Sequence, residues 1–349
     1  MKIDYVNLER GLVKIWGSDS AKLLQGLATN DVYKLGSGEA QYSAFLNHKG
    51  RVLFDFFLYK SLWNENEYFI ESQKPYAEDI NVHLLMYRLK YQVQIEMVTD
   101  QYKIYGSTSA NAVEGRNLIK IADKRCDWSF WRTIVPNSEE IVLNGLEGNR
   151  SQYRTLRCIN GIPEGYRELK WFSAIPHEYN LDLMGAISFN KGCYIGQELV
   201  SRVEHKGIVR KRVMPLRLYT PLLEDDKEWK LNVDFDTQGL ESDAAGLATR
   251  IRDEFGTKKH GTKYDVQANL RGLNVFRVEG NCGLGLVKLD VWKSFPKFMV
   301  FNEGKAEFLM AEPFIPKWWP TSVLQTIEAF PNIQVDPSQA SDKEINKDD

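Results

Sequence analysis

Lys191-Gly192-Cys193-Tyr194-Ile195-Gly196-Gln197-Glu198 is the stretch on which the reading of this 349-residue chain turns. A helix follows it: Ile195, Leu199 and Val203 recur every four residues, and Gly207 stands where a helix is closed. The pattern predicts Cys193 just before a helix start, where unpaired backbone N–H groups and the helix dipole favour a thiolate. Lys191 adds positive charge there. Gly192 and Gly196 let backbone approach closely on both sides. A thiolate so placed suits metal binding or nucleophilic attack. The residues alone also fit a plainer reading, a small buried cysteine at a tight loop-to-helix junction.

Outward from the motif, residues 208–218 read as a strand with basic residues in it. Toward the N-terminus, Leu12 to Trp16 is strand-like, and Ser18 is the expected N-cap of a helix carrying Leu23, Leu24 and Leu27. Tyr42 to Leu46 and Val52 to Tyr59 are apolar runs joined by Asn47-His48-Lys49-Gly50, a hairpin loop with glycine at the φ > 0 position. Between residues 62 and 146 strand and helix patterns alternate, with a helix over Pro75 to Leu89 and a half-buried strand over Val93 to Val98. Gln152 to Ile162 starts as a helix. Short strands at Gly246–Thr249, Asn274–Val278, Gly283–Lys288 and Lys297–Phe301 suggest a barrel, interrupted by charged loops at 224–239 and 250–263. From about Asn332 the composition is that of a disordered tail. Trp318-Trp319 before Pro320 is read as packing.

Composition bounds the function. Forty-five Lys and Arg against 47 Asp and Glu give a net charge of −2, which argues against nonspecific nucleic-acid binding. At 43% hydrophobic residues the chain has material for sizeable cores. Its four cysteines, at 126, 158, 193 and 282, form neither a disulfide framework nor a C-x-x-C zinc site. No run approaches the roughly 18 apolar residues of a membrane span, so no membrane insertion is expected. The opening MKIDYVNLER has the character of neither a signal peptide nor a transit peptide.

The motif with its continuation through Leu199, Ser201, Arg202, His205, Lys206, Gly207, Arg210, Lys211 and Arg212 resembles the signature of the YgfZ family, the iron–sulfur-cluster-assembly branch of the folate-binding glycine-cleavage T-protein superfamily. Leu24-Gln25-Gly26, Thr29-Asn30-Asp31-Val32, residues 40–44, Lys49-Gly50-Arg51 and Arg157 through Gly161-Ile162-Pro163 resemble the same family. The form Glu204-His205-Lys206-Gly207 is most similar to its mitochondrial members. The resemblance implies an α+β fold arranged as a three-unit ring. Its expected parts are a folate-binding lobe over 1–60 and 151–210, a ferredoxin-like unit over 61–150, a C-terminal β-barrel over 211–331 and a tail over 332–349.

It also implies a function: a folate-binding accessory factor for [4Fe–4S] cluster assembly on mitochondrial matrix enzymes, acting with an A-type iron–sulfur carrier. Cys193 would then be a redox thiol or a ligand of a transient [2Fe–2S] cluster shared with that partner. The alternative is tetrahydrofolate-dependent aminomethyl transfer. Support of tRNA modification through an iron–sulfur enzyme is a third reading, without direct tRNA binding.

A folate site needs ring walls, a carboxylate for the pterin edge and cations for the glutamate tail. The expected tetrahydrofolate residues are Asp55, on one strand face with Leu53, Phe57 and Tyr59; Glu178, where T-proteins carry a folate-contacting glutamate; Tyr42 and Tyr194 as ring faces; and Arg202, in a basic run otherwise read as a solvated face or a docking site for an acidic partner. T-protein enzymes have paired aspartates after their Gly-Gly. Here Phe54 takes one of the two positions, which suits binding better than acid–base catalysis.

Overall fold

The computed structural model describes residues 1–219, 272–302 and 307–331. The strand expected at Gly246–Thr249, the two charged loops and the tail from Asn332 lie outside the described residues.

β1 (Val6–Asn7), β2 (Arg10–Trp16), α1 (Ser20–Leu27), β3 (Ala40–Leu46), β4 (Val52–Lys60), β5 (Glu67–Gln73), α2 (Tyr76–Arg88) and β6 (Gln94–Met97) open the fold. Five of these strands form an antiparallel sheet in the order β3-β4-β5-β2-β6. Aromatic and aliphatic side chains cover both of its faces, and α1 and α2 close one of them through Leu23, Leu24, Leu27, Ile80 and Leu84. The helix α1 is capped by Asp19 rather than Ser18, and the Asp19 carboxylate accepts the Gln92 N–H at 2.8 Å instead of closing its own first turn.

The hairpin between β3 and β4 is as expected, with Gly50 at φ +74°. One detail differs. The register shifts at the end of the pair, with Phe45 opposite Phe54 and Leu46 opposite Val52. Leu53 is the extra residue of a β-bulge, so it joins Phe54 and Phe56 under the helices. The face of Asp55 holds Val52, Phe57 and Tyr59 instead.

The sheet does not stop at residue 60. β5, α2 and β6 belong to it, because β5 pairs with both β2 and β4. A ferredoxin-like unit beginning at 61 is therefore too early a boundary. The following strands are β7 (Tyr102–Ser107), β8 (Val113–Gly115), β9 (Ile119–Ala122), β10 (Trp131–Pro136) and β11 (Ile141–Leu143). They make a second antiparallel sheet, β1-β7-β10-β9, and the small pair β11-β8.

α3 (Arg150–Asn160) starts with an Asn149/Gln152 capping box and ends at Gly161, φ +68°, with the paired C-terminal bonds Gly161 N–H to Cys158 O and Ile162 N–H to Arg157 O. After it come α4 (Gln197–Lys206) and β12 (Lys211–Tyr219), then β13 (Leu273–Glu279), β14 (Cys282–Lys288), α5 (Leu289–Ser294), β15 (Phe298–Asn302), β16 (Glu307–Pro313) and α6 (Thr321–Ala329). The C-terminal strands pair antiparallel in the order β13-β14-β12-β16-β15. Trp319 is buried in the core beneath this sheet, and Trp318 Nε1 donates to Asn160 O at 2.8 Å, so both tryptophans pack. Among the described residues no helix is long and apolar enough to cross a membrane.

Candidate functional site

The motif is a loop pinned at both ends. At its start the Lys191 ammonium donates to three carbonyls at the end of α1: Gln25 at 2.9 Å, Ala28 at 2.6 Å and Asn30 at 2.8 Å. The Gln25 and Ala28 carbonyls are acceptors that a helix C-terminus leaves open, Asn30 lies two residues past the cap, and a cation at this end is favoured by the dipole. Burial pulls the Lys191 pKa down to about 8. In the middle, Ile195 N–H donates to Gly26 O, and the Lys191 ammonium sits 4.9 Å from the centre of the Tyr194 ring. At its end Gly196, φ +82°, caps α4. A Cβ on Gly196 would lie 2.4 Å from Asn47 O, so only glycine fits there. Gln197 accepts the Tyr194 N–H through its side chain.

Two expectations about Cys193 change in consequence. The helix begins at Gln197, so Cys193 stands outside its first turn and the dipole does not act directly on the sulfur. Lys191 spends its charge on α1, not on the thiol. What remains is accessibility: Cys193 is exposed, so the buried-cysteine reading fails. The other three differ. Cys158 and Cys282 are buried, and Cys126 is half-buried with its pKa pushed up to about 12 by desolvation.

Asp55 is not at a surface. It is 1% exposed, its Oδ2 accepts the Tyr42 hydroxyl at 2.9 Å and its Oδ1 accepts the Gly165 N–H at 3.0 Å. Burial, then the nearby Glu164, raise its pKa. The Tyr42 ring is buried too, with the Arg125 guanidinium 5.1 Å from its centre. Arg125 and Arg132 stand 4.8 and 4.2 Å from the centre of Phe57. A pterin edge at Asp55 would have to displace two internal hydrogen bonds, and a ring stacked on Tyr42 would have to displace Arg125. These two residues do not fit a pterin in this arrangement.

The space beside them is filled by an ion network that the sequence reading missed. Arg10 bonds Glu71 at 2.9 Å and Glu164 at 2.8 Å. Arg125 bonds Asp123 and Glu164, both at 2.8 Å, and Arg132 bonds Asp123 at 3.0 Å and also Glu71. Tyr153 donates to Glu164 at 2.7 Å. Arg157 grips Glu168 with both terminal nitrogens, and Arg277 of β13 reaches the same carboxylate at 2.7 Å. Although burial opposes it, the four guanidiniums around Glu164 hold its pKa well below the ordinary value, and Arg157 lowers that of Glu168 against the same opposition. The network ties the first two sheets, α3 and the C-terminal sheet together. Its only sequence signal is single charges inside apolar strands, such as Glu71 in Tyr68-Phe69-Ile70-Glu71 and Arg132 in Trp131-Arg132-Thr133-Ile134.

Glu178 lies in a turn of 3-10 helix at Pro176–Tyr179, half-buried. Burial raises its pKa, and Lys211 and Arg51 nearby oppose the rise. Arg202 and Glu198 are exposed on α4, Gly192 is exposed beside Cys193, and Tyr194 is half-buried, its pKa pushed up to about 12. The structure thus separates the expected residues into an interior pair, Asp55 and Tyr42, and a surface group around Cys193.

Residues 4–121 match the family described as the GCVT N-terminal domain. The fold is similar to that of the glycine cleavage system aminomethyltransferase T from Bartonella henselae, with a TM-score of 0.60 over 90% of this chain and 86% of that one, at 12% identity. The chain is 30% identical to the mitochondrial iron–sulfur cluster assembly factor IBA57 of Homo sapiens, over 89% of this chain and 84% of the relative. It is also 30% identical to the IBA57 homologue of Coccidioides immitis, over 89% and 81%. At that identity and coverage, on a fold shared with the T-protein, the chain belongs to the IBA57 family of iron–sulfur cluster assembly factors.

Proposed function

We propose that the chain is an accessory factor of mitochondrial iron–sulfur cluster assembly that presents Cys193 as its ligand to a [2Fe–2S] cluster shared with an A-type carrier, for delivery to [4Fe–4S] enzymes. The observation that carries this reading is the exposed Cys193 on a loop held by Lys191 and Gly196. A [2Fe–2S] cluster takes four protein ligands. Among the described residues no group of three His, Cys, Asp or Glu is placed to hold a metal, so the remaining ligands would come from the partner. The cluster is cargo here, not a resident group.

The fold suggests folate binding, yet the Asp55 interior is closed by the chain's own side chains, and no step of this proposal runs through tetrahydrofolate. For the same reason aminomethyl transfer is disfavoured: the Asp55 carboxylate is 1% exposed and already accepts two hydrogen bonds from within the chain.

The test is anaerobic reconstitution with the carrier, read by visible absorption and circular dichroism. Cys193→Ser should fold normally and lose the spectrum of the mixed complex. Normal cluster assembly by Cys193→Ser would end the ligand reading.

A further inference from the structure

Helix α2 has two apolar faces, and the fold buries only one of them. Tyr76, Ala77, Ile80 and Leu84 pack into the core beneath the first sheet. Val82, Leu85 and Met86 of the same helix, with Leu89 at its C-cap, are 50, 41, 68 and 83% exposed. Their spacing, i, i+3, i+4 and i+7, makes one stripe. Two residues turn a helix by about 200°, so Val82 stands on the side opposite Ile80. Among the described residues no other helix exposes a large apolar side chain. Single apolar side chains on a surface need no explanation, but four in register on one helix do.

Leu89 is a second, independent sign. Its φ is +39°, and a helix end with positive φ is ordinarily glycine or asparagine. A leucine there is strained, and its side chain gains no burial among the described residues.

Charge says what the stripe meets. Glu78 and Asp79 are exposed in the first turn of α2, and Arg88 and Lys90 are exposed at its end. Among the described residues none of the four forms an ion pair. A helix face that is acidic at its start, apolar along its middle and basic at its end is complementary to itself in antiparallel orientation. A two-fold axis near position 84 sets Val82 against Met86 of a second copy, Leu85 beside its own counterpart and Glu78 against Lys90, with Asp79 in reach of Arg88. An anionic lipid surface suits the stripe less well, because it would repel Glu78 and Asp79.

From this we infer that the outer face of α2 is a contact between two copies of this chain, paired through antiparallel α2 helices. The shallow helix crossing, about 20°, keeps both charged ends together. The face shares no residue with the Lys191–Glu198 motif, so the inference does not depend on the Cys193 reading. Four apolar side chains per copy fall short of the roughly 800 Å² that each partner gives to a stable interface, so the pair is reversible and forms on the order of ten micromolar.

The experiment is sedimentation velocity of the full chain between about 5 and 200 µM, where mass action should move the wild type from monomer toward twice the monomer mass. Leu85→Glu with Met86→Glu should weaken pairing at least about tenfold and leave the urea midpoint unchanged, because both side chains are exposed. Glu78→Lys alone, or Lys90→Glu alone, should weaken it about fivefold or more, since each dimer loses two contacts. Glu78→Lys with Lys90→Glu in one chain should return it to within about threefold of wild type, because each copy supplies both members of the contact. Cys193→Ser should pair as wild type does. A mass that stays monomeric at the highest concentration overturns the inference, and so does a dimer that survives Leu85→Glu with Met86→Glu. Failure of the double charge exchange to restore what the single changes lose rules out the antiparallel pair. A monomer that instead sediments with phosphatidylcholine–phosphatidylglycerol vesicles, and no longer does so as Leu85→Glu with Met86→Glu, would assign the stripe to lipid and overturn the dimer.

Discussion

Gly196 and Gly50 are pressed together where the motif meets the hairpin. A Cβ on Gly196 would lie 3.1 Å from Gly50 Cα, and one on Gly50 would lie 2.8 Å from the Gly196 carbonyl oxygen. Both hold positive φ, +82° and +74°. Gly192 is in the same eight-residue motif and meets nothing. The two kinds of glycine should therefore respond differently to alanine. Gly196→Ala is expected to cost more than about 2 kcal/mol, from the left-handed backbone and the clash with Asn47 O. Gly192→Ala should stay within about 0.5 kcal/mol of wild type. Urea unfolding followed by circular dichroism reads both, and equal losses would contradict the distinction.

His83 of α2 is stacked on Phe45, ring centres 5.2 Å apart, and lies 4.9 Å from Tyr87. Burial lowers its pKa from 6.5 to about 4. The sign follows from which state binds the proton first. Between pH 6.5 and 4 the unfolded chain is protonated at His83 while the folded chain is not, so stability present above pH 6.5 is lost as pH falls. The loss should be on the order of 2 kcal/mol by pH 4, allowing for the part of the ring that water reaches. Carboxylates titrate at the lower end of this range, so the measurement is the difference between wild type and His83→Phe. The variant should show a flatter stability profile between pH 4 and 6.5, and parallel profiles would refute the assignment.

How much of this was legible in the sequence follows from how local each feature is. The hairpin with Gly50 and the end of α4 at Gly207 are set by residues next to one another, and both are as expected. The start of α4 lies later than the apolar spacing from Ile195 predicts, because Gly196, held at positive φ against the distant hairpin, interrupts it. The bulge at Leu53 moved one side chain across the sheet, since a strand's alternation survives only while register does. The interior network was the least legible. Residues 10, 71, 125, 132 and 164 come from three strands and two loops, and their mutual neutralisation exists only after folding. Asp55 is legible in the sequence as a carboxylate inside an apolar strand. Its partners, Tyr42 and the Gly165 N–H, are not legible there, because Gly165 is 110 residues away along the chain.

Tyr42→Phe tests the first of these contacts. It removes the donor from Asp55 Oδ2 and leaves a buried carboxylate oxygen unpaired, which should cost about 1–3 kcal/mol. The loss should appear in unfolding midpoints. Calorimetry with millimolar tetrahydrofolate should give no saturable heat that depends on Tyr42 or Asp55. A micromolar site abolished by Asp55→Asn in a folded protein would show that the interior opens to ligand.

The last expectation concerns the four thiols. Cys193 is exposed, whereas Cys158 and Cys282 are buried and Cys126 is half-buried with its pKa pushed up to about 12. Alkylation requires both a thiolate and access. At about pH 8, iodoacetamide should label Cys193 of the native chain at a rate within about tenfold of a free thiol, because its sulfur is open to the reagent. Cys158 and Cys282 should react only on unfolding, and Cys126 at least a hundredfold more slowly than Cys193, since a thiol pKa about four units above the pH leaves roughly one part in ten thousand ionised. Peptide mass spectrometry over a time course separates the four. The labelled chain should then fail to form the mixed cluster with a carrier while unfolding at the same urea concentration as before. Early labelling at Cys126, Cys158 or Cys282 would mean that the native chain exposes a second thiol, and the count that assigns one cluster ligand to this chain would have to be revised.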